Sequence, residues 1–342
     1  MTFREIQGHQ RPIRWLQHAV ASNHLGHAYL FHGEEAIGKR LVALALTKFL
    51  HCERPIDDPL PDACGDCRAC HQIAQGTHPD FLSITTEDEQ KQNPKIKIDQ
   101  IRALEHFVIY RPLVAIRKIC LIDHADTMTV EAVNALLKTL EDPPDHCIFL
   151  LTSSRPEHML ATIRSRCMTM KFSPLSLSET SEFLRTRTKL QQADRQLLAS
   201  FSEGRLGKAL QITPEDLRIQ LRQYWALLFG DLPKSPSTIM DMCEDLVKSD
   251  QVREAIRWFR FVLRELLLVH LNREHRSLFF PDQTSALLRL SETIDLSDLL
   301  DCLNELEKLE RGQQRNVNMQ LGLEQFFFHL QDHMGNKALQ EA

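Results

Sequence analysis

Two groups of residues in this sequence have the types and spacing to do chemistry. The first lies in FHGEEAIGKRLVA, which begins at Phe31: Gly33, four residues, Gly38 and Lys39 fit the phosphate-loop pattern G-x-x-x-x-G-K. Glycines let backbone N–H groups curl around phosphate oxygens, and the Lys ammonium reaches the β and γ oxygens. The following position normally carries a hydroxyl that ligates Mg²⁺. Here it is Arg40, which can pair with phosphate but cannot ligate a cation. A glycine-containing turn with an unrelated Lys is the competing reading of the loop taken alone. The second group is Cys52, Cys64, Cys67 and Cys70, spaced C-x11-C-x2-C-x2-C. Four thiolates satisfy tetrahedral Zn²⁺, and short C-x2-C turns put their sulfurs on one side of a knuckle. The intervening ERPIDDPLPDA is polar and proline-rich, so a metal would supply the order that no core can. His71 or His78 could replace one Cys, and a redox dithiol is the other use of C-x2-C; the third and fourth Cys favour structural zinc. A closed four-thiolate site has no open position, so no metal catalysis is expected. The other five cysteines, Cys120, Cys147, Cys167, Cys243 and Cys302, are isolated and read as core residues.

The elements around these residues have the context that a phosphate loop needs. HAYLFH, from His27, reads as a strand, and LVALALTKFL, from Leu41, reads as a helix. Further short apolar runs, PDFLSI, KICLID, HCIFLL and CMTMKF, alternate with helical patterns up to about residue 172, which predicts a parallel sheet flanked by helices. A linker, SPLSLSE, starts at Ser173 and leads into short helical patterns. VREAIRWFRFVLRELLLVHL, from Val252, places large apolar residues at helical spacing over a wide arc, as does NVNMQLGLEQFFFHL with Phe326 to Phe328. The expected class is therefore α/β plus all-α: an α/β domain over 1–172 with a zinc module at about 50–80, a small helical lid over 173–212, and a helical domain over 213–342. The chain has 342 residues, 43% hydrophobic and 25% charged, an ordinary globular composition. A net charge of −5 gives no global basic field for nucleic acid. No apolar run approaches membrane-spanning length, and MTFREIQGHQRP lacks a signal-peptide core. Nine cysteines without an export signal point to a reducing cytoplasm.

KICLID ends in Asp123, where a carboxylate helps to hold Mg²⁺ in loop-type NTPases; a strand-end turn residue is the plainer reading. His124 follows, in place of the Glu that usually activates water in the AAA+ group. After it come NALLKTLEDPP, from Asn134, and LATIRSRC, ending at Cys167. Together with LGHAYLFHG, the four-Cys knuckle and NVNMQLGLE from Asn316, these segments resemble the AAA+ clamp-loader family of bacterial DNA polymerase III, and within it the delta-prime branch. The match runs from the first strand to the last helices. NALLKTLEDPP and Ser165-Arg166-Cys167 are shared with the motor subunits of the same machine.

The resemblance implies an AAA+ P-loop-like domain, a helical lid and a C-terminal collar domain that packs with those of other subunits. It implies a hetero-pentamer with delta and three gamma/tau motor subunits, which opens a sliding clamp and loads it onto primed DNA. In the family, the SRC arginine projects into the neighbour's nucleotide site, so Arg166 is expected to act in trans; alone it would read as a surface charge. Ser153 and Ser154 match a polar sensor after the fourth strand, or simply cap it. Arg40, His124 and Gly207, the last standing where a motor would carry a nucleotide-sensing Arg, depart from the pattern of a working ATPase. They suit a stator with no ATPase or polymerase activity of its own. Gly33, Gly38 and Lys39 remain, so nucleotide binding stays open, and an active motor subunit of the same complex is the alternative.

Overall fold

The computed structural model describes residues 1–57, 60–86, 94–230, 234–249, 251–272, 284–312 and 318–338. Asp58 and Pro59 of the loop between Cys52 and Cys64, and Asn316 and Val317 of NVNMQLGLE, lie outside the described residues. The chain divides into two compact units, Met1–Gln211 and Ile212–Ala342.

The first unit is built on five strands: β1 (Ala28–His32), β2 (Phe81–Ile84), β3 (Lys118–Ile122), β4 (Cys147–Ser153) and β5 (Met168–Lys171). They form one sheet in the order β2-β3-β4-β1-β5, parallel throughout. Parallel strands need crossovers, and helices supply them on both faces. They are α1 (Gln10–Ala21), α2 (Lys39–His51), α3 (Arg68–Gln75), α4 (Ile98–Ile109), α5 (Val130–Glu141) and α6 (Ala161–Arg164). Three further helices follow: α7 (Leu177–Arg187), α8 (Gln192–Ser202) and α9 (Leu206–Gln211). Sheet side chains alternate between two cores, as strand geometry requires. Tyr29, Phe31, Ile148 and Leu150 point to one core with Leu16, Val42 and Leu46. Leu30, Phe149 and Leu151 point to the other with Leu104, Leu136 and Ile163. Burial on both faces explains why the central strands β1, β3 and β4 read as continuous apolar runs; the edge strand β5 is largely exposed.

The second unit is all helical among its described residues: α10 (Pro214–Phe229), α11 (Pro236–Lys248), α12 (Val252–Leu271), α13 (Thr284–Thr293), α14 (Leu296–Gly312) and α15 (Met319–Ala338). α12 is its centre and contacts α10, α11, α13 and α14. Tyr224 stacks on Trp258 with ring centroids 5.5 Å apart, and the Phe259 ring meets Phe326 and Phe327 at 6.0 and 5.4 Å. The wide apolar arc of α12 is thus largely buried within its own unit. No helix among the described residues is long and apolar enough to cross a membrane.

Candidate functional site: a glycine-lysine loop, a cysteine knuckle and a half-buried arginine

The glycine-lysine loop joins the carboxyl end of β1 to the start of α2. Its two glycines are there for conformation and space. Gly33 has φ +148, and a Cβ on it would lie 2.3 Å from the Phe172 carbonyl oxygen. Gly38 has φ +104 and caps α2 in a left-handed conformation. The Lys39 ammonium donates to the Gly33 carbonyl at 2.8 Å and to that of Glu34 at 2.5 Å. Burial lowers its pKa, against the raising influence of Asp126, Asp123, Glu35 and Glu34.

Asp123 follows β3 and is buried beside this loop. Thr152 Oγ1 donates to its Oδ1 at 2.5 Å. Arg40 Nε lies 3.3 Å from Oδ2, and His124 Nε2 lies 3.9 Å from the same oxygen. A guanidinium therefore faces this carboxylate, and a guanidinium cannot itself be a metal ligand. His124 has φ +55, and its N–H donates to Thr152 Oγ1 at 3.1 Å.

The hydroxyl on Asp123 is therefore that of Thr152, one residue before the two serines singled out from the sequence. Ser153 Oγ instead accepts from the Arg155 N–H at 3.1 Å, and the Ser154 N–H donates to Asp126 Oδ1 at 3.2 Å. A polar residue inside the apolar run of β4, next to the strand that ends in Asp123, was the available signal for Thr152. The segment from Arg205 also lies against the loop. The Gly207 N–H donates to the Ala36 carbonyl at 2.9 Å, and a Cβ at Gly207 would meet Ala36 Cβ at 3.0 Å. Arg205 Nε lies 3.8 Å from Glu34 Oε2. Contacts of Arg205 and Glu34 across the lid were not legible from sequence, because both are ordinary surface charges in isolation.

The four knuckle cysteines converge. Their sulfurs all lie within 4.8 Å of one another, close to the roughly 3.8 Å edge of a tetrahedron with Zn–S of about 2.3 Å. Cys67 caps the start of α3, and Gly65, with φ +78, turns the chain between Cys64 and Cys67. Backbone amides point at the sulfurs: Cys64 N–H to Cys52 Sγ at 3.2 Å, Asp66 and Cys67 N–H to Cys64 Sγ at 3.4 and 3.3 Å, and Cys70 N–H to Cys67 Sγ at 3.5 Å. Amide donors of this kind stabilise metal-bound thiolates from behind. Burial acts to raise the Cys64 pKa, but the amides of Asp66 and Cys67 outweigh it and bring it to about 7. Burial pushes the Cys52 and Cys70 thiols up. The chemistry of the donor set fits a soft tetrahedral ion. The histidines considered as ligands lie elsewhere: His71 Nε2 is 3.6 Å from Asp66. His78 Nδ1 accepts from the Asp80 N–H at 3.1 Å, its ring edge-on to His51. The other five cysteines are buried and free, in keeping with core packing.

The Ser165-Arg166-Cys167 turn joins α6 to β5. Ser165 Oγ and Arg166 Nη1 both donate to the Thr162 carbonyl, at 3.0 and 2.9 Å. Arg166 Nη2 donates to Glu141 Oε1 at 2.7 Å. Cys167 is buried in the core under α5 and α6. Arg166 thus precedes the amino end of β5, and Met168 is paired with Tyr29 near the amino end of β1. The chain's own glycine-lysine loop follows the opposite, carboxyl end of β1. Four residues of strand, about 13 Å, separate the two levels.

A five-stranded parallel sheet in this order defines a P-loop-like AAA+ domain, with a glycine-lysine loop after β1, a carboxylate after β3 and an appended helical unit. Two family models match the chain: "DNA polymerase III, delta subunit" over residues 8–176 and "DNA polymerase III, delta subunit, C terminal" over residues 220–332. The chain belongs to this DNA polymerase III subunit family, which includes delta-prime and tau/gamma relatives. It is 41% identical over 154 residues to the DNA polymerase III subunit delta-prime of Pseudomonas aeruginosa, covering 45% of each. It is 36% identical over 171 residues to the subunit tau of Bacillus subtilis, covering 50% of this chain and 29% of that protein. The matched stretch therefore spans under half the length of these two relatives. A gamma subunit-related protein of Thermotoga maritima aligns over 94% of this chain and 99% of its own, with 20% identity and a TM-score of 0.44.

Proposed function

We propose that the chain is a non-hydrolysing, delta-prime-like subunit of a DNA polymerase III clamp loader. In this reading it joins delta and gamma/tau motor subunits in a hetero-pentamer that loads a sliding clamp onto primed DNA. The observation that carries the non-hydrolysing role is the Arg40–Asp123 pair. Phosphoryl transfer in this fold needs a divalent cation held by a hydroxyl after the loop Lys and a carboxylate after β3. Here the first group is a guanidinium, and it lies against the second. His124 beside them is held in a left-handed turn rather than being a carboxylate base. The Arg205–Gly207 segment packed on Glu34 and Ala36 fills the approach to the loop further.

Arg166 is the residue assigned to chemistry, and its target is a neighbour's nucleotide. Two features support this: it stands at the end of the sheet opposite the chain's own loop, and among the described residues two of its five N–H donors are engaged. A guanidinium stays charged and presents a planar fork that matches phosphate. The four thiolates hold one structural Zn²⁺, which orders the knuckle and takes no part in catalysis. The helical unit from about residue 213 serves assembly, so a chain truncated there would not enter the complex.

The test is to reconstitute the complex with Arg166→Ala and, as control, with Arg164→Ala at the exposed arginine two residues earlier. An arginine finger contributes about 10³–10⁵ in rate at the site it serves. Only one of several motor sites faces this subunit, so a smaller loss is expected for the whole complex. Arg166→Ala should lower clamp- and DNA-stimulated ATP hydrolysis and loading, with assembly intact, while Arg164→Ala should change neither. Unchanged rates in a fully assembled Arg166→Ala complex would refute the trans-acting role.

A further inference from the structure

Glu141 is an unusual residue to find where it is. It is the last residue of α5, where unpaired carbonyls make the helix end negative, and a carboxylate there is disfavoured. It nevertheless reaches across to the turn after α6 and accepts from Arg166 Nη2 at 2.7 Å. The other terminal nitrogen of the same guanidinium donates to the Thr162 carbonyl at 2.9 Å, which also receives the Ser165 hydroxyl. Two acceptors on two different helices therefore define both the direction and the plane of this side chain. A free arginine loses substantial rotamer entropy when it is fixed against a ligand. One already fixed does not, and electrostatic assistance in catalysis depends on such prior orientation. Among the described residues, Nε–H and one N–H on each terminal nitrogen have no partner, which is sufficient for a fork onto phosphate oxygens.

We infer that Glu141 is a positioning residue: its carboxylate, with the Thr162 carbonyl, holds the Arg166 guanidinium in the orientation that engages a phosphate of the neighbouring subunit's nucleotide. This rests on the trans-acting reading of Arg166. It assigns Glu141 no contact with nucleotide and no proton transfer. A carboxylate beside the guanidinium could instead mask it, which is the opposite functional sign and is separated by the experiment.

Complexes are reconstituted with Glu141→Ala, Glu141→Gln, Arg166→Ala and the double variant Glu141→Ala/Arg166→Ala, and kcat and KM for clamp- and DNA-stimulated ATP hydrolysis are measured. Glu141→Ala should lower kcat by about three- to tenfold with KM for ATP unchanged, since orientation and not ground-state binding is lost. Glu141→Gln keeps an acceptor oxygen and should stay within about twofold of the unaltered complex. The double variant should be no slower than Arg166→Ala alone, because a residue that acts only through another adds nothing once that residue is gone. The ion pair is solvent-exposed, so assembly and melting should be retained in all four. If Arg166→Ala lowers the rate but Glu141→Ala does not, or raises it, the positioning inference falls and the trans-acting reading stands. An additive loss in the double variant also overturns the inference. If Arg166→Ala has no effect, it is the underlying reading that fails.

Discussion

Two regions of the first unit gather groups that bind cations elsewhere, and they end in opposite states. At the glycine-lysine loop, Asp123 meets Arg40 and Thr152, and Lys39 is turned onto carbonyls of its own loop. Asp123, Arg40 and Lys39 each have a partner from the chain itself. At the knuckle, four sulfurs converge within 4.8 Å with backbone amides directed at them. The first arrangement pairs a guanidinium with the carboxylate. The second brings together groups that repel once ionised, and a divalent metal resolves that repulsion. In the proposed reading, a domain keeps the outline of a nucleotide site with a side chain in place of the cation, and carries a candidate metal site on the segment that follows α2.

The largest effect should follow from breaking the knuckle. Structural zinc in small thiolate sites contributes on the order of 10–16 kcal/mol of binding free energy. Native mass spectrometry should find one zinc per chain, lost in Cys67→Ser. Hydrogen exchange should then show loss of protection over the knuckle and α3. A metal-free, unaltered chain with full protection there would remove the contrast between the two regions.

A smaller effect concerns pH. Metal binding by thiols releases protons, so affinity rises with pH and falls as protons compete. Cys64, brought to about 7 by the amides of Asp66 and Cys67 against the raising effect of burial, ionises more readily than Cys52 and Cys70, which burial pushes up and whose protons a bound metal would displace into solvent. Competition titration against a chelator should therefore show weaker zinc binding at about pH 6 than at about pH 8. A flat profile would argue against thiolate ligation.

The smallest effect is expected at Arg40. Its guanidinium is half exposed, so its pair with Asp123 should contribute at most about 1 kcal/mol. For a unit of this size that is about 2–4 °C in Tm. Arg40→Thr should melt slightly earlier and still not turn over ATP, because His124 and the Gly207 segment are unchanged. Appreciable turnover by Arg40→Thr alone would mean that this one residue sets the difference between the two regions.

Much of the frame could be read from residue order. The apolar runs of β1, β3 and β4 became strands buried on both faces, while the runs at the sheet edges became the half-buried β2 and the largely exposed β5, and the wide arc of α12 became the middle of a helical unit. The convergence of Cys52 with Cys64, Cys67 and Cys70 followed from spacing, since short C-x2-C turns leave the sulfurs few places to go. What spacing could not supply was partnership across distant elements. Thr152 on Asp123, Glu141 on Arg166 and Arg205 on Glu34 join residues 29, 25 and 171 positions apart. Each is a common polar residue whose significance comes only from the strand register or lid placement that brings it there. Thr152 and not its neighbour Ser153 donates to Asp123, because adjacent residues on a strand point to opposite faces.

The central claim is that this chain has given up hydrolysis at its own loop, and steady-state ATP turnover by the isolated chain tests it most directly. The assay compares the unaltered protein with Lys39→Ala at saturating ATP and Mg²⁺, with and without clamp and primed DNA. The account predicts no turnover above the protein-free blank in any condition, and no difference between the two proteins. Measurable turnover by the unaltered chain that disappears in Lys39→Ala would contradict it, and would show a working motor behind the Arg40–Asp123 pair.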